Sequence, residues 1–323
     1  MHGITRFRTA VSSAVLEIVL IALCLLLAIA APNFLTTENI LNVLRNVSMQ
    51  GLIALGMTMV IIAGEIDLSV GSMVAFAGCL TAWLTLWLTS SLGAALPVAV
   101  TLAITASLLA GFLVGCFTGM MRTRYGVPSF ITSLALLTGL SGSAELITNG
   151  FPLTPFPPWY NFIGGGYLLG APFPALIFLL AFLTVHVLMN YTSFGRAVYA
   201  VGGNAEAARL SGINVTTIKT MVLAITATLA AAGGVMQSSE IMSGTATTAK
   251  GWELDVIAAV IIGGTSFSGG IGRVWGTMIG IIFLGVIMNG MTLLNVSEYW
   301  QHVVRGALIL LAVFINRLQQ RPT

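Results

Sequence analysis

The chain has 323 residues, 57% of them hydrophobic and 7% charged, with 13 Lys and Arg against 10 Asp and Glu and a formal net charge of +3. A soluble protein carries about a quarter charged residues, so this composition excludes a soluble enzyme and a disordered chain. It also excludes a nucleic-acid binder, because so dispersed a charge builds no basic patch. One aqueous core cannot hide this much apolar surface, and lipid is the solvent for most of the chain.

In chain order, Arg6 and Arg8 precede a first apolar run ending in the A-x-A pattern Ala28-Ile29-Ala30. The pattern imitates a cleavage site, but in a polytopic chain the first span is itself the insertion signal, so a retained helix is expected. Windows of about 18 or more mostly apolar residues mark spanning helices. They fall at 14–31, 48–64, 68–90, 93–121, 127–148, 171–190, 218–237, 255–265, 274–294 and 299–316. The uncharged stretch 68–121 divides at Gly93 and Pro97, and the eighth run is too short to cross as a plain helix.

Cytoplasmic loops hold the Lys and Arg of such chains. With the N-terminus inside and ten crossings, Arg6, Arg8, Arg122, Arg124, Arg196, Arg209, Lys219, Arg273, Arg317 and Arg321 fall on the cytoplasmic side. Arg45 and Lys250 fall outside, and Arg305 lies in the last span. The longest connections, 32–47, 149–170, 191–217 and 238–254, hold no soluble domain. The expected fold is therefore all-α. It is a single polytopic transmembrane domain over 1–323, a bundle of about ten helices with broken or re-entrant segments and both termini cytoplasmic.

Cys24, Cys79 and Cys116 sit inside apolar runs and read as small hydrophobes, and His2, His186 and His302 are scattered without ligand spacing, so no metal, disulfide or other cofactor is expected. Gly111, Gly115 and Gly119 recur every four residues and read as a helix-packing face. Glu17 and Glu145 lie near span ends, where snorkelling accounts for them. Arg305 faces the bundle interior or reaches the outer interface.

Two breaker-rich segments interrupt the apolar pattern. In GEIDLSVGS (64–72), Asp67 or Ser69 serves as an N-cap with Gly71 permitting a sharp turn. Alternatively Glu65, Asp67 and Ser69 line a pathway in a broken helix, since irregular backbone at membrane depth survives only against protein or water. GGTSFSGGIGRVWG (263–276) is the second such element. Gln237, Thr265 and Asn289 are neutral groups suited either to a polyol in a cavity or to bonds with neighbouring helices.

The polar loop at about 191–219 carries GGNAEAARLSGIN (202–214), in which Asn204 is suited to N-cap a short helix from Glu206 to Leu210, stopped by Gly212. Such a helix needs a partner or a lipid surface. Neither lysine, Lys219 nor Lys250, follows glycine, so the chain has no phosphate-cradling Gly-Lys-Ser/Thr loop. If nucleotide hydrolysis drives it, another subunit supplies the hydrolysis.

Four segments carry a resemblance across nearly the whole sequence: PNFLTTENILNVLRN (32–46), GLIALGMTMVIIAGEIDLSVGS (51–72), SFGRAVYAVGGNAEAARLSGINV (193–215) and ELDVIAAVIIGGTSFSGGIGRVWGT (253–277). In order and register they resemble the membrane permease subunits of bacterial ABC importers for monosaccharides such as ribose, xylose, galactose and arabinose. The resemblance implies a location in the inner membrane and no catalysis by this chain. It implies two cytoplasmic ATP-binding subunits, a periplasmic sugar-binding protein and a second permease, identical or related. It also implies that 202–214 is the helix seated on the ATPase. Glu206, Ala207, Ala208 and Gly212 meet the EAA, three residues, Gly motif of importer permeases, whereas its I-x-L-P ending is absent after Gly212. A monosaccharide moved by ATP-driven alternating access is the expected function. An ion-coupled secondary transporter using Glu65, Asp67 or Glu145 is the rival.

Overall fold

The computed structural model describes residues 15–319; Arg6, Arg8, Ala14 and Arg321 lie outside the described residues, as does the side chain of Arg317. The helices are α1 (Val15–Ala30), α2 (Thr37–Ile62), α3 (Val70–Leu92), α4 (Leu96–Arg124), α5 (Ser129–Thr148), α6 (Asn161–Gly165), α7 (Phe173–Tyr191), α8 (Ser193–Gly203), α9 (Ala205–Leu210), α10 (Val215–Glu240), α11 (Trp252–Ile262), α12 (Val274–Leu293) and α13 (Glu298–Gln319). A two-residue hairpin, β1 (Tyr167–Leu168) with β2 (Ala171–Pro172), is antiparallel. The bundle is all-α, as the composition predicts.

Seven helices, α2, α3, α4, α5, α7, α10 and α12, are long and apolar enough to cross a membrane. α1 has 16 residues and α11 has 11, and α13, with 22, carries Glu298, His302 and Arg305 in its first half. Helix length and composition among the described residues therefore do not reproduce the ten crossings expected from sequence. The split of 68–121 falls where predicted: Gly93 closes α3 in the left-handed conformation at φ 63°, and Pro97 stands in the first turn of α4. α2 starts at Thr37, well before the expected 48, because Thr36 caps it by accepting from the Asn39 N–H at 3.3 Å. The polar residues between read as a loop are one side of a helix.

α10 is the axis of the bundle and packs against α2, α3, α4 and α6. The glycine trio of α4 lies on it. A Cβ on Gly115 would sit 2.5 Å from Ala224 Cα and from Leu223 O, and one on Gly119 would sit 2.5 Å from Thr220 Cα. Such small-residue faces let two backbones approach where lipid supplies no hydrophobic drive. The largest buried cluster joins Ile53–Ile62 of α2 to Val256–Ile261 of α11 and to Val274, Ile281 and Leu284 of α12. α1 lies at the edge, with Leu27 packed near Val286 and most of its other side chains exposed.

The two breaker-rich segments touch. Gly64, at φ 76°, turns the chain after α2, and residues 65–69 run without regular structure to α3. The turn expected at Gly71 is made at Gly64 instead. Gly71 lies inside the first turn of α3, where a Cβ would meet the Glu253 carboxylate at 2.2 Å. From the second segment, the Gly270 N–H donates to Ile62 O at 2.8 Å. The connection 149–170, read from sequence as a plain loop, holds a 3-10 turn (Pro158–Tyr160), α6 and β1. It is bound to the end of α10: the Tyr160 hydroxyl donates to Val235 O at 3.1 Å, and Asn161 Nδ2 donates to Ser239 O at 3.1 Å.

Candidate translocation cavity and coupling surface

A cavity of about 300 Å³ opens between α2, α10, α11, α12 and α13, at the lower edge of the about 300–1,000 Å³ usual for small-molecule sites. One face is an amide ladder. Asn42, Asn46 and Gln50 recur every four residues on α2, and Gln237 of α10 and Asn289 of α12 also contribute to the lining. Asn289 is held in place by another amide and Gln237 by a carboxylate. Asn289 and Asn39 exchange hydrogen bonds at 2.7 and 3.0 Å, and Gln237 Nε2 donates to Glu240 Oε2 at 3.2 Å. Trp252 supplies an aromatic wall.

The charged members of the lining are Asp255 and Arg305, and they neutralise each other, with Arg305 Nε 2.7 Å from Asp255 Oδ1. Their side chains are 9% and 24% exposed, so the pair sits at the cavity wall with most of its surface against protein. The cavity thus presents amides, one hydroxyl (Thr292), an aromatic ring and no net charge. That lining can exchange hydrogen bonds with a neutral polyol, and it offers no uncompensated charge to an ion.

Of the six residues predicted from sequence to line a pathway, the structure brings Gln237 and Asn289 to this cavity. Glu65, Asp67, Ser69 and Thr265 are buried elsewhere and are not part of its wall. Asp67 Oδ1 accepts from the Ser69 N–H at 2.8 Å and from its hydroxyl at 2.6 Å, a local turn that ends the irregular stretch ahead of α3. Glu65 is held by three donors: Arg122 Nε at 2.8 Å, Lys219 Nζ at 2.5 Å and the Ser129 hydroxyl at 2.6 Å. Ser129 Oγ in turn accepts from the Ile66 N–H at 3.2 Å. The ends of α4, α5 and α10 thereby converge on one carboxylate just after α2.

Sequence reasoning missed Asn42, Asn46, Gln50, Trp252 and Asp255. The four-residue spacing of the three α2 amides is a usable signal, hidden because Asn42 and Asn46 fall in 32–47, which reads as a connection, and only Gln50 falls in the expected span. Asp255 and Arg305 are 50 positions apart, and nothing local pairs them.

The connection 191–217 folds as two helices, α8 and α9, where the sequence suggested one. α9 is built from its cap. Asn204 Oδ1 accepts from the Glu206 N–H at 3.1 Å and from the Ala207 N–H at 3.0 Å. Gly212, at φ 86°, closes the far end, its N–H donating to Arg209 O and that of Ile213 to Ala208 O, both at 3.0 Å. Ala208 faces inward, whereas Leu210 is 77% exposed. Glu206 and Arg209 form a two-pronged pair at 2.6 and 3.0 Å on the exposed side. The hydrogen bonds from Arg209, and then its charge, hold the Glu206 carboxyl below the usual carboxylate range. The helix is a compact knob presenting an ion pair and a bare leucine.

Residues 39–313 match the family described as "Branched-chain amino acid transport system / permease component". The chain is 42% identical over 300 residues to the ribose import permease protein RbsC of Bacillus subtilis (strain 168), covering 92% of this chain and 90% of that one. It is 39% identical over 308 residues to the ribose import permease protein RbsC of Escherichia coli (strain K12), covering 93% of each. With the L-arabinose transport system permease protein AraH of the same strain it shares 35% over 294 residues, 91% of this chain and 87% of that protein. No solved structure matches it.

Proposed function

We propose a function from the premise that this chain belongs to the permease family described as "Branched-chain amino acid transport system / permease component": it is the membrane-spanning subunit of an ABC importer for a monosaccharide in the bacterial inner membrane. The family description names amino acids, while the relatives are named for ribose and arabinose. The cavity favours the sugar. A zwitterionic amino acid brings two charges that charged side chains compensate best, and here Asp255 and Arg305 are spent on each other. Amides and a hydroxyl suit the several neutral hydroxyls of a pentose.

The single observation that carries the reading is α9, a capped, exposed knob matching the importer motif at Glu206, Ala207, Ala208 and Gly212. It is the surface on which a separate ATPase subunit seats. Hydrolysis there drives alternation between outward- and inward-open arrangements, with a second permease copy or a related chain completing the pathway and a periplasmic binding protein delivering sugar. The permease's task is differential stabilisation of the two states, so the cavity holds its cargo weakly. The ion-coupled rival loses support at two of its three candidates, because Glu65 is already occupied by two cations and a hydroxyl and Asp67 by the Ser69 N–H and hydroxyl.

The test is co-purification with the ATPase subunit. Glu206→Lys places two cations on the knob and is expected to abolish ATPase association and uptake while the chain still inserts at wild-type levels. Association and uptake unchanged by this substitution would contradict the assignment of α9.

A further inference from the structure

Both flanks of α9 land on the same corner of the fold, Ile62 to Glu65, where α2 ends. Upstream, α8 ends in Gly202 and Gly203 with backbone directly on backbone. A Cβ on Gly202 would lie 1.7 Å from Ile62 O and 2.7 Å from Gly270 N. One on Gly269 would lie 2.9 Å from Gly202 O and 3.1 Å from Gly64 Cα. The Gly270 N–H donates to Ile62 O at 2.8 Å, and the Tyr199 hydroxyl of α8 donates to Gly272 O at 3.0 Å. At Gly202, Gly269 and Gly270 backbone meets backbone, so at these three positions no side chain can absorb a displacement by changing rotamer. Downstream, α10 begins at Val215, and Lys219 in its opening turns is buried against Glu65.

From this corner α2 runs as one helix to the cavity, buried from Val47 to Ile62 apart from the half-buried Gln50, with Asn42, Asn46 and Gln50 on the lining. A close-packed helix moves as a unit. We infer that the Ile62–Glu65 corner is the relay through which movement of α9 reaches the cavity wall, and that Glu65 is its positioning residue. The inference rests on α9 being the ATPase-docking element. It adds that force leaves α9 by two routes, the glycine contact and the Glu65–Lys219 pair, which rejoin on α2. Arg122 and Ser129 tie the ends of α4 and α5 to the same carboxylate, so those helices follow α2.

The test is transport per ATP hydrolysed, measured on the full complex in proteoliposomes with the ATPase subunits and the binding protein. Glu65→Gln and Lys219→Met are each expected to keep ATPase association and hydrolysis while sugar moved per ATP falls about tenfold. The double variant should fall no further than the worse single one, because both remove the same contact. Wild-type stoichiometry in the variants, additive losses in the double variant, or transport and hydrolysis falling together would each overturn the relay. If Glu65→Gln fails to insert, Lys219→Met alone carries the test, because it removes the same pair from the other side, and an unchanged stoichiometry there refutes the proposal. A wild-type complex whose transport needs no ATPase would instead refute the reading of α9, which separates the two failures.

Discussion

Replacing Asp255 by Asn leaves Arg305 beside a neutral amide in the cavity wall. Breaking a fully buried ion pair by removing one partner costs about 3–5 kcal/mol. Here the Arg305 side chain is 24% exposed and borders a cavity, so solvent recovers part of that and about 2–3 kcal/mol is expected. At about 2–4 °C per kcal/mol the melting temperature of the solubilised protein should fall by about 5–10 °C. The cavity also changes from neutral to a net positive charge, so uptake of a neutral pentose should drop more than stability alone accounts for. The double variant Asp255→Asn with Arg305→Gln restores neutrality and lets the two amides bond each other. It should be more stable than the sum of the single losses by about 1–2 kcal/mol. Thermal unfolding of the four proteins of the cycle, with uptake measured in parallel, decides this. Additive losses, or a single variant as stable as the wild type, would refute the claim that these residues form one charge-compensated unit.

Gly115→Val should cost about 1–3 kcal/mol or block insertion, since its Cβ would lie 2.5 Å from α10 backbone. Gly139→Ala, with nothing within 4 Å of its Cβ, should stay within about 0.5 kcal/mol; equal melting of the two would contradict the α4–α10 contact. Because Arg209 depresses the Glu206 carboxyl, the pair is complete above the ordinary carboxylate range and is lost only as pH falls through the lowered folded value. A carbon-13 titration of Glu206 should give a midpoint below that of a free glutamate side chain, and Arg209→Gln should return it to normal. An unshifted midpoint would mean that the pair does not form.

How much of this was legible in the sequence follows from the range of each interaction. The helices were visible because lipid forces a long apolar run, and Gly93 with Pro97 divides the one ambiguous stretch by local backbone chemistry. α9 was readable for the same reason, since its cap, motif and stop occupy nine positions from Asn204 to Gly212. The cavity was only half readable. Gln237 and Asn289 stand out as polar groups in apolar helices, but Asn42 and Asn46 of α2 are hidden in a polar stretch that looks like a loop. Glu65 shows the limit most plainly. A carboxylate in an apolar run signals that something unusual is present, yet Lys219 is 154 residues away, and only tertiary contact brings the two together.

The central claim is that this chain gates a sugar pathway and draws its energy from a separate ATP-hydrolysing subunit seated on α9. Uptake of labelled pentose into proteoliposomes, with and without the ATPase subunit and ATP, tests it most directly. Uptake that requires both, and that Glu206→Lys abolishes, is the result expected. Accumulation by the purified chain alone, driven by an ion gradient, would contradict it.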